Sequence, residues 1–232
     1  MGLLETAKPF GDKPHFYNIC LYGNPGLGKT VLACSAPGAL ELQCERNAGM
    51  SLRNHPETVN VPCIDIDESS KIIDLYWELK KDSAGTKTVV IDTISELQMR
   101  NLGEIWKAEQ KKGKRPEGHP YQQDYKVNTE FMRDVILRYC DLPMNVIFVC
   151  HETEEKNEID GSVTTRPTFT PKLAATMFAT CDVMAYMSAE INAIKGEMKR
   201  VIRVTPTRSI KAKDRLGLPS TFDADQFWTL IN

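Results

Sequence analysis

The sequence predicts an α/β fold: a mostly parallel central sheet flanked by helices, with an antiparallel strand pair near the C-terminus. Three observations carry this. Apolar segments of strand length, such as Phe16–Tyr22 and Asn145–Cys150, alternate with amphipathic helical stretches. Strands apolar on both faces belong inside a sheet covered on both sides. The first strand runs straight into a glycine-rich turn and a helix, and the β-branched run Thr88–Ile91 ends in a carboxylate, Asp92.

Phe16–Tyr22 reads as a buried strand, Lys29–Ser35 as a short apolar helix and Ala39–Cys44 as a second strand, with another expected within Thr58–Ile66. Ser69–Lys81 sets Ile72, Ile73, Tyr76, Trp77 and Leu79 near helical spacing. Gly85 precedes the strand Thr88–Ile91, and helical pattern runs from Ser95 to about Lys111. Lys112–Gln123 is polar and carries two glycines and two prolines, so it reads as a loop. Tyr125–Cys140 returns to helical spacing, and Asn145–Cys150 is a further strand. Glu152–Thr168 reads as a loop or short hairpin, and Pro171–Thr180 as a helix with proline first. Asp182–Ser188 and Arg200–Thr207 read as two strands joined through a turn at Lys195–Gly196. Residues 1–15 are expected to be a tail and 16–232 a single domain.

A chain of 232 residues, 41% hydrophobic, can bury a full core without disulfide staples. The net charge of −2 excludes a globally basic protein, so any polyanion contact must use a local patch. The cysteine number, seven, is odd and no C-x-x-C pair occurs; reduced thiols in a cytosolic protein are expected, without a zinc site. The longest apolar runs are five residues, against roughly 20 for a membrane-spanning helix. The N-terminus lacks a basic start followed by an apolar stretch, so no signal peptide is expected.

Gly23-Asn24-Pro25-Gly26-Leu27-Gly28-Lys29-Thr30 fits G-x-x-x-x-G-K-[ST] at every fixed position, between a strand and a helix. This is a P-loop, and it implies ATP and Mg²⁺. Its glycines let backbone N–H groups turn toward phosphate oxygens, a cradle that extends to Val31. Lys29 is expected on the β- and γ-phosphates and the Thr30 hydroxyl on the metal. Asp92, at the end of a neighbouring parallel strand, is the second metal ligand; alternatively it caps the following helix.

Asp92 is followed by Thr93 rather than Glu, so a base for water attack must come from elsewhere. Glu45, just past the second strand, is the candidate, and Glu152 the alternative. The run Ala39–Asn47 resembles the strand-plus-glutamate motif of RecA-like ATPases. His151, ending the strand Val146–Cys150, takes by resemblance the position that senses the γ-phosphate in that family. Lys211-Ala212-Lys213-Asp214-Arg215-Leu216-Gly217 is similar to the Lys-Asn-Arg-Phe-Gly motif of RadA-type ATPases, with Asp214 and Leu216 as departures. That resemblance makes Lys213 and Arg215 trans-acting cations that reach a neighbouring subunit's γ-phosphate.

Over Phe16–Pro219 the order of parts resembles the small RecA-like ATPases of bacteriophages, described as single-strand annealing recombinases. The resemblance implies a RecA-like P-loop fold and an ATPase that acts on single-stranded DNA. It also implies a ring or filament of identical subunits, a single-strand-binding protein as a further partner, and the host cell cytoplasm. Pro25 departs toward the AAA-type P-loop.

In that family a loop after the Asp92-type strand grips DNA. Here it carries Lys107, Lys111, Lys112, Lys114 and Arg115 against Glu109 and Glu117, a surplus of +3. Tyr121 and Tyr125 follow and are candidates for base stacking. The second loop, Glu152–Thr170, has two cations and five carboxylates, which speaks against DNA binding there. Lys195–Arg215 has eight cations against two carboxylates, suited to phosphates across a subunit interface or to a channel lining. Three rival readings remain: an AAA-type helicase loader or remodeller, a nucleotide or small-molecule kinase with Lys107–Gln123 as its lid, and a non-catalytic ATP-gated scaffold.

Overall fold

The strand–turn–helix unit that opens the chain sits at the centre of one sheet. The computed structural model describes residues 9, 14–46, 48–113, 119–191 and 198–231. Among these the strands are β1 (Asn18–Gly23), β2 (Ala39–Gln43), β3 (Cys63–Asp65), β4 (Thr88–Asp92), β5 (Asn145–Lys156), β6 (Val163–Pro167), β7 (Val183–Ile191), β8 (Met198–Arg203) and β9 (Thr221–Asp223). The helices are α1 (Lys29–Cys34), α2 (Lys71–Lys81), α3 (Ile94–Lys111), α4 (Gln122–Cys140), α5 (Pro171–Thr180) and α6 (Phe227–Ile231).

The sheet order is β3-β2-β4-β5-β1-β7-β8-β9, with β6 on β5. β3, β2, β4, β5, β1 and β7 run parallel. β8 and β9 close the sheet antiparallel. The predicted architecture is therefore the observed one. One strand, β5, separates the P-loop strand from the Asp92 strand, so both strand ends open onto one crevice at the sheet's C-terminal edge.

Alternation along the strands divides the core. Cys20 and Tyr22 of β1 face the layer that holds Ile72, Leu97, Met132, Tyr139 and Met177 of α2 to α5. Ile19 and Leu21 face Val31 and Ala33 of α1 and, beyond them, Phe222, Phe227 and Ile231 near the C-terminus. Each such large side chain, when fully buried, contributes about 1.5–3 kcal/mol.

Some boundaries differ from expectation. Within Thr58–Ile66 only Cys63–Asp65 is strand, and Ala48–Asn54 forms a 3₁₀ helix. β5 runs six residues past Cys150 because β6 pairs with its far half, so the polar Glu152–Thr168 segment is largely a hairpin. β8 stops at Arg203, short of Pro206, which has no N–H for a ladder. The predicted turn at Lys195–Gly196 lies outside the described residues. Thr93, and not Asp92, caps α3: its side chain accepts from the Glu96 N–H. Among the described residues no helix is long and apolar enough to cross a membrane.

Candidate nucleotide site

The P-loop begins where β1 reaches the sheet edge. A Cβ on Gly23 would come within 2.3 Å of the Met187 carbonyl oxygen, so only glycine lets β7 pack against the root of the loop. Gly28 takes φ 85° immediately before α1, a left-handed conformation that side chains resist. Lys29 folds back across the turn, its Nζ donating to the Gly23 and Asn24 carbonyls, 2.8 Å each. Burial lowers its pKa, and the nearby Asp92 carboxylate opposes that shift.

Thr30 Oγ1 donates to Asp92 Oδ2 at 2.5 Å. Asp92 is buried, and loss of solvent pushes its pKa up to about 7 against the stabilising Thr30 hydroxyl. Its other oxygen, Oδ1, is buried without a hydrogen-bond partner. A carboxylate oxygen lacking a partner beside a hydroxyl oxygen is a hard donor set that fits Mg²⁺. When bound between these groups and a triphosphate, the ion would neutralise charge on the phosphate oxygens.

Glu45 is tied to the same strand end. Its backbone N–H donates to the Asp92 carbonyl at 3.2 Å, as does that of Cys44 at 2.6 Å. Its carboxylate lies 3.7 Å from His151 Nε2. The His151 N–H donates to Ser95 Oγ, and His151 Nδ1 is buried without a partner. Gly23 is in register with His151 across β1 and β5. Pro25 to Val31, Glu45, Asp92 and His151 all line one cavity of about 800 Å³.

Glu152 is placed differently. Its Oε2 is buried without a hydrogen-bond partner, and burial raises its pKa while Lys29 pulls it down. It is not a wall of the cavity.

Lys213 and Arg215 also lie away from the cavity. Lys213 Nζ donates to the Phe178 and Cys181 carbonyls at 2.5 Å each, and its backbone pairs with Met184 near the start of β7. Arg215 donates to the Ala179 carbonyl and pairs with Asp182 at 3.5 Å. Within the subunit these two cations satisfy the last carbonyls of α5, at the opposite end of the sheet from the P-loop.

Lys107 and Lys111 lie on the last turns of α3, and Lys112 is its C-cap, paired with Glu109 at 2.9 Å. Lys114 and Arg115 lie outside the described residues. Tyr121 and Tyr125 are exposed at the start of α4. By helix rise, Lys111 lies about 25 Å along α3 from Asp92.

Sequence reasoning missed two side chains. Arg200, counted only as part of a basic segment, lines the cavity beside the P-loop. Arg100 of α3 donates to the Cys44 carbonyl at 2.6 Å and the Asp67 carbonyl at 2.9 Å, so it clamps the backbone next to Glu45. Arg100 falls within predicted helix, and no local signal marks its reach to β2.

A Lys-Thr phosphate cradle hydrogen-bonded to a carboxylate at the end of β4, one strand removed from the P-loop strand and not beside it as expected, defines a P-loop ATPase domain. The chain belongs to the AAA domain family, whose model matches residues 15–216. The match agrees with the AAA-type character of Pro25. No curated protein sequence matches. Among solved structures the chain is similar to a KaiC-like protein of the hyperthermophilic archaeon Pyrococcus horikoshii, with 13% identity and a TM-score of 0.46 over 89% of this chain and 84% of that one. It is also similar to the flagellar accessory protein FlaH of Methanocaldococcus jannaschii, with 11% identity and a TM-score of 0.45 over 88% and 85%.

Proposed function

We propose that the protein is an oligomeric ATPase of RecA-like type that hydrolyses ATP and acts on single-stranded DNA in phage recombination or annealing. The observation that carries the hydrolytic part is the convergence of Lys29, Thr30, Asp92, Glu45 and His151 on one cavity. In this reading Glu45 orients and deprotonates the attacking water, because it lines that cavity and Glu152 does not. The Mg²⁺ is held by Thr30 and Asp92. Single-stranded DNA binds at the basic end of α3, through Lys107, Lys111 and Lys112, and through Lys114 and Arg115, which follow in the sequence. The subunits form a ring or filament in the host cytoplasm, where a single-strand-binding protein is a further partner. Lys213 and Arg215, if released from α5, complete a neighbour's site.

ATP turnover per subunit, measured against protein concentration and against added single-stranded DNA, tests this. Specific activity should rise in both titrations; flat curves in both would defeat the assembly and DNA parts of the proposal.

A second reading, an AAA-type helicase loader or remodeller, is favoured by membership of the AAA domain family and by Pro25. It predicts stimulation by a protein client rather than by naked single-stranded DNA.

A further inference from the structure

Arg200 belongs to the basic segment expected to face other subunits or a channel, yet its guanidinium lies against the P-loop of its own chain. A Cβ on Gly28 would come within 2.7 Å of Arg200 Nη1. The pairing of strands enforces this. β7 follows β1 up to Gly23, opposite Met187, and then runs past the sheet edge. Arg200 on β8 stands opposite Ala189, two residues further on. At about 3.4 Å per residue the overhang is about 7 Å, enough to bring a long side chain over the turn.

Arg200 also joins two cavities. It lines the phosphate cavity together with Gly28 to Val31. It lines an adjoining space of about 240 Å³ that continues to Ser35 and Trp228 and does not include Asp92. The first cavity therefore has a polarity. Asp92, Glu45 and His151 mark its metal end, and Gly28, Val31 and Arg200 mark the other. The ion-pair partner of Arg200 is Asp225, 4.0 Å away and 89% exposed, a weak hold that water competes with. Lys29, Lys213 and Arg215, by contrast, are each bound to backbone carbonyls of their own chain.

We infer that Arg200 is a nucleotide-binding residue acting in cis, its guanidinium closing over the α- and β-phosphates at the Gly28–Val31 end and leaving the γ-phosphate to Lys29 and the metal. The planar fork of donors suits two oxygens of neighbouring phosphates, and its weak hydration makes the transfer from Asp225 favourable. Nucleoside di- and triphosphates then draw equally on this residue. The inference rests on the P-loop binding ATP.

Equilibrium titration of fluorescent ADP and ATP analogues into wild type, Arg200→Gln and Arg200→Lys tests it, with thermal melts of the ligand-free proteins as the check on folding. Arg200→Gln should weaken ADP and ATP by similar factors of about 10–100. Arg200→Lys should recover part of the loss, because it keeps the charge and lacks the fork. Wild-type affinity for both nucleotides in Arg200→Gln would overturn the inference. So would a loss confined to ATP, which would place Arg200 on the γ-phosphate. A wild-type protein that binds neither nucleotide would instead remove the P-loop reading beneath it.

Discussion

His151 Nε2 stands 3.7 Å from the Glu45 carboxylate across the mouth of the phosphate cavity. Each residue is fixed by its backbone, Glu45 through the Asp92 carbonyl and His151 through Ser95 Oγ. A carboxylate held this way is suited to orient water beside a γ-phosphate. Glu45→Gln should keep nucleotide affinity and lower turnover by about 10²–10⁴-fold, the usual worth of a positioned base. Parallel binding and steady-state assays check this. Undiminished hydrolysis would eliminate Glu45 as the base and turn attention to Glu152.

Arg100 holds the Cys44 carbonyl from the middle of α3. Arg100→Ala should lower kcat about tenfold or more through misplacement of Glu45, with ATP affinity little changed. Arg100→Lys should restore part of the rate, since one cationic donor still reaches the carbonyl. An equal loss of affinity and rate, tracking a lower melting temperature, would mean that Arg100 only supports the fold.

Lys213 and Arg215 have two separable roles to test. As caps of the α5 carbonyls, Lys213→Met should cost about 1–3 kcal/mol of stability, seen in chemical denaturation. As trans-acting cations they predict complementation. Mixing inactive Glu45→Gln with inactive Arg215→Ala should regenerate some turnover, because mixed assemblies contain sites with both groups intact. If no mixture exceeds the sum of its parts, the trans role is lost and the cap stands alone.

Glu41 is buried in β2, where it accepts from the Cys63 thiol at 2.6 Å and leaves Oε1 without a partner. Burial raises its pKa above the ordinary glutamate value of 4.5, and the thiol hydrogen bond only partly offsets this. The folded state then holds this proton more tightly than the unfolded chain does. Stability from this group is full below the ordinary value and declines as pH rises toward the folded value. Glu41→Gln should therefore melt above wild type at about pH 8, with the gap closing by about pH 4. A constant gap across that range would mean that the carboxyl is not the titrating source.

The P-loop and Asp92 were legible because their chemistry is local: a strand, a turn and a helix in one run of chain, and a β-branched strand with an acid at its end. What the chain pattern could not assign was the helix cap, which fell to Thr93 and so left Asp92 for the cavity. Charges were legible, but their partners were not. Lys213 and Arg215 read as free cations until α5 brought its terminal carbonyls to them. Arg200 was hidden for a related reason, since its position depends on how far β7 outruns β1, a register between distant segments. β9 and α6 escaped notice because three and five residues are too short to show a period.

β5 spans twelve residues without interruption. Its first half is wedged between β4 and β1, and its second half leaves the sheet to pair with β6. His151 sits at the transition. The outer hairpin is also stitched to the chain ahead of Lys213, through Thr165 and Ser209. A single spar thus joins the imidazole facing Glu45 to a projecting arm more than ten ångströms long, by strand rise. Whatever bends that arm tilts His151 without any loop in between to absorb the movement.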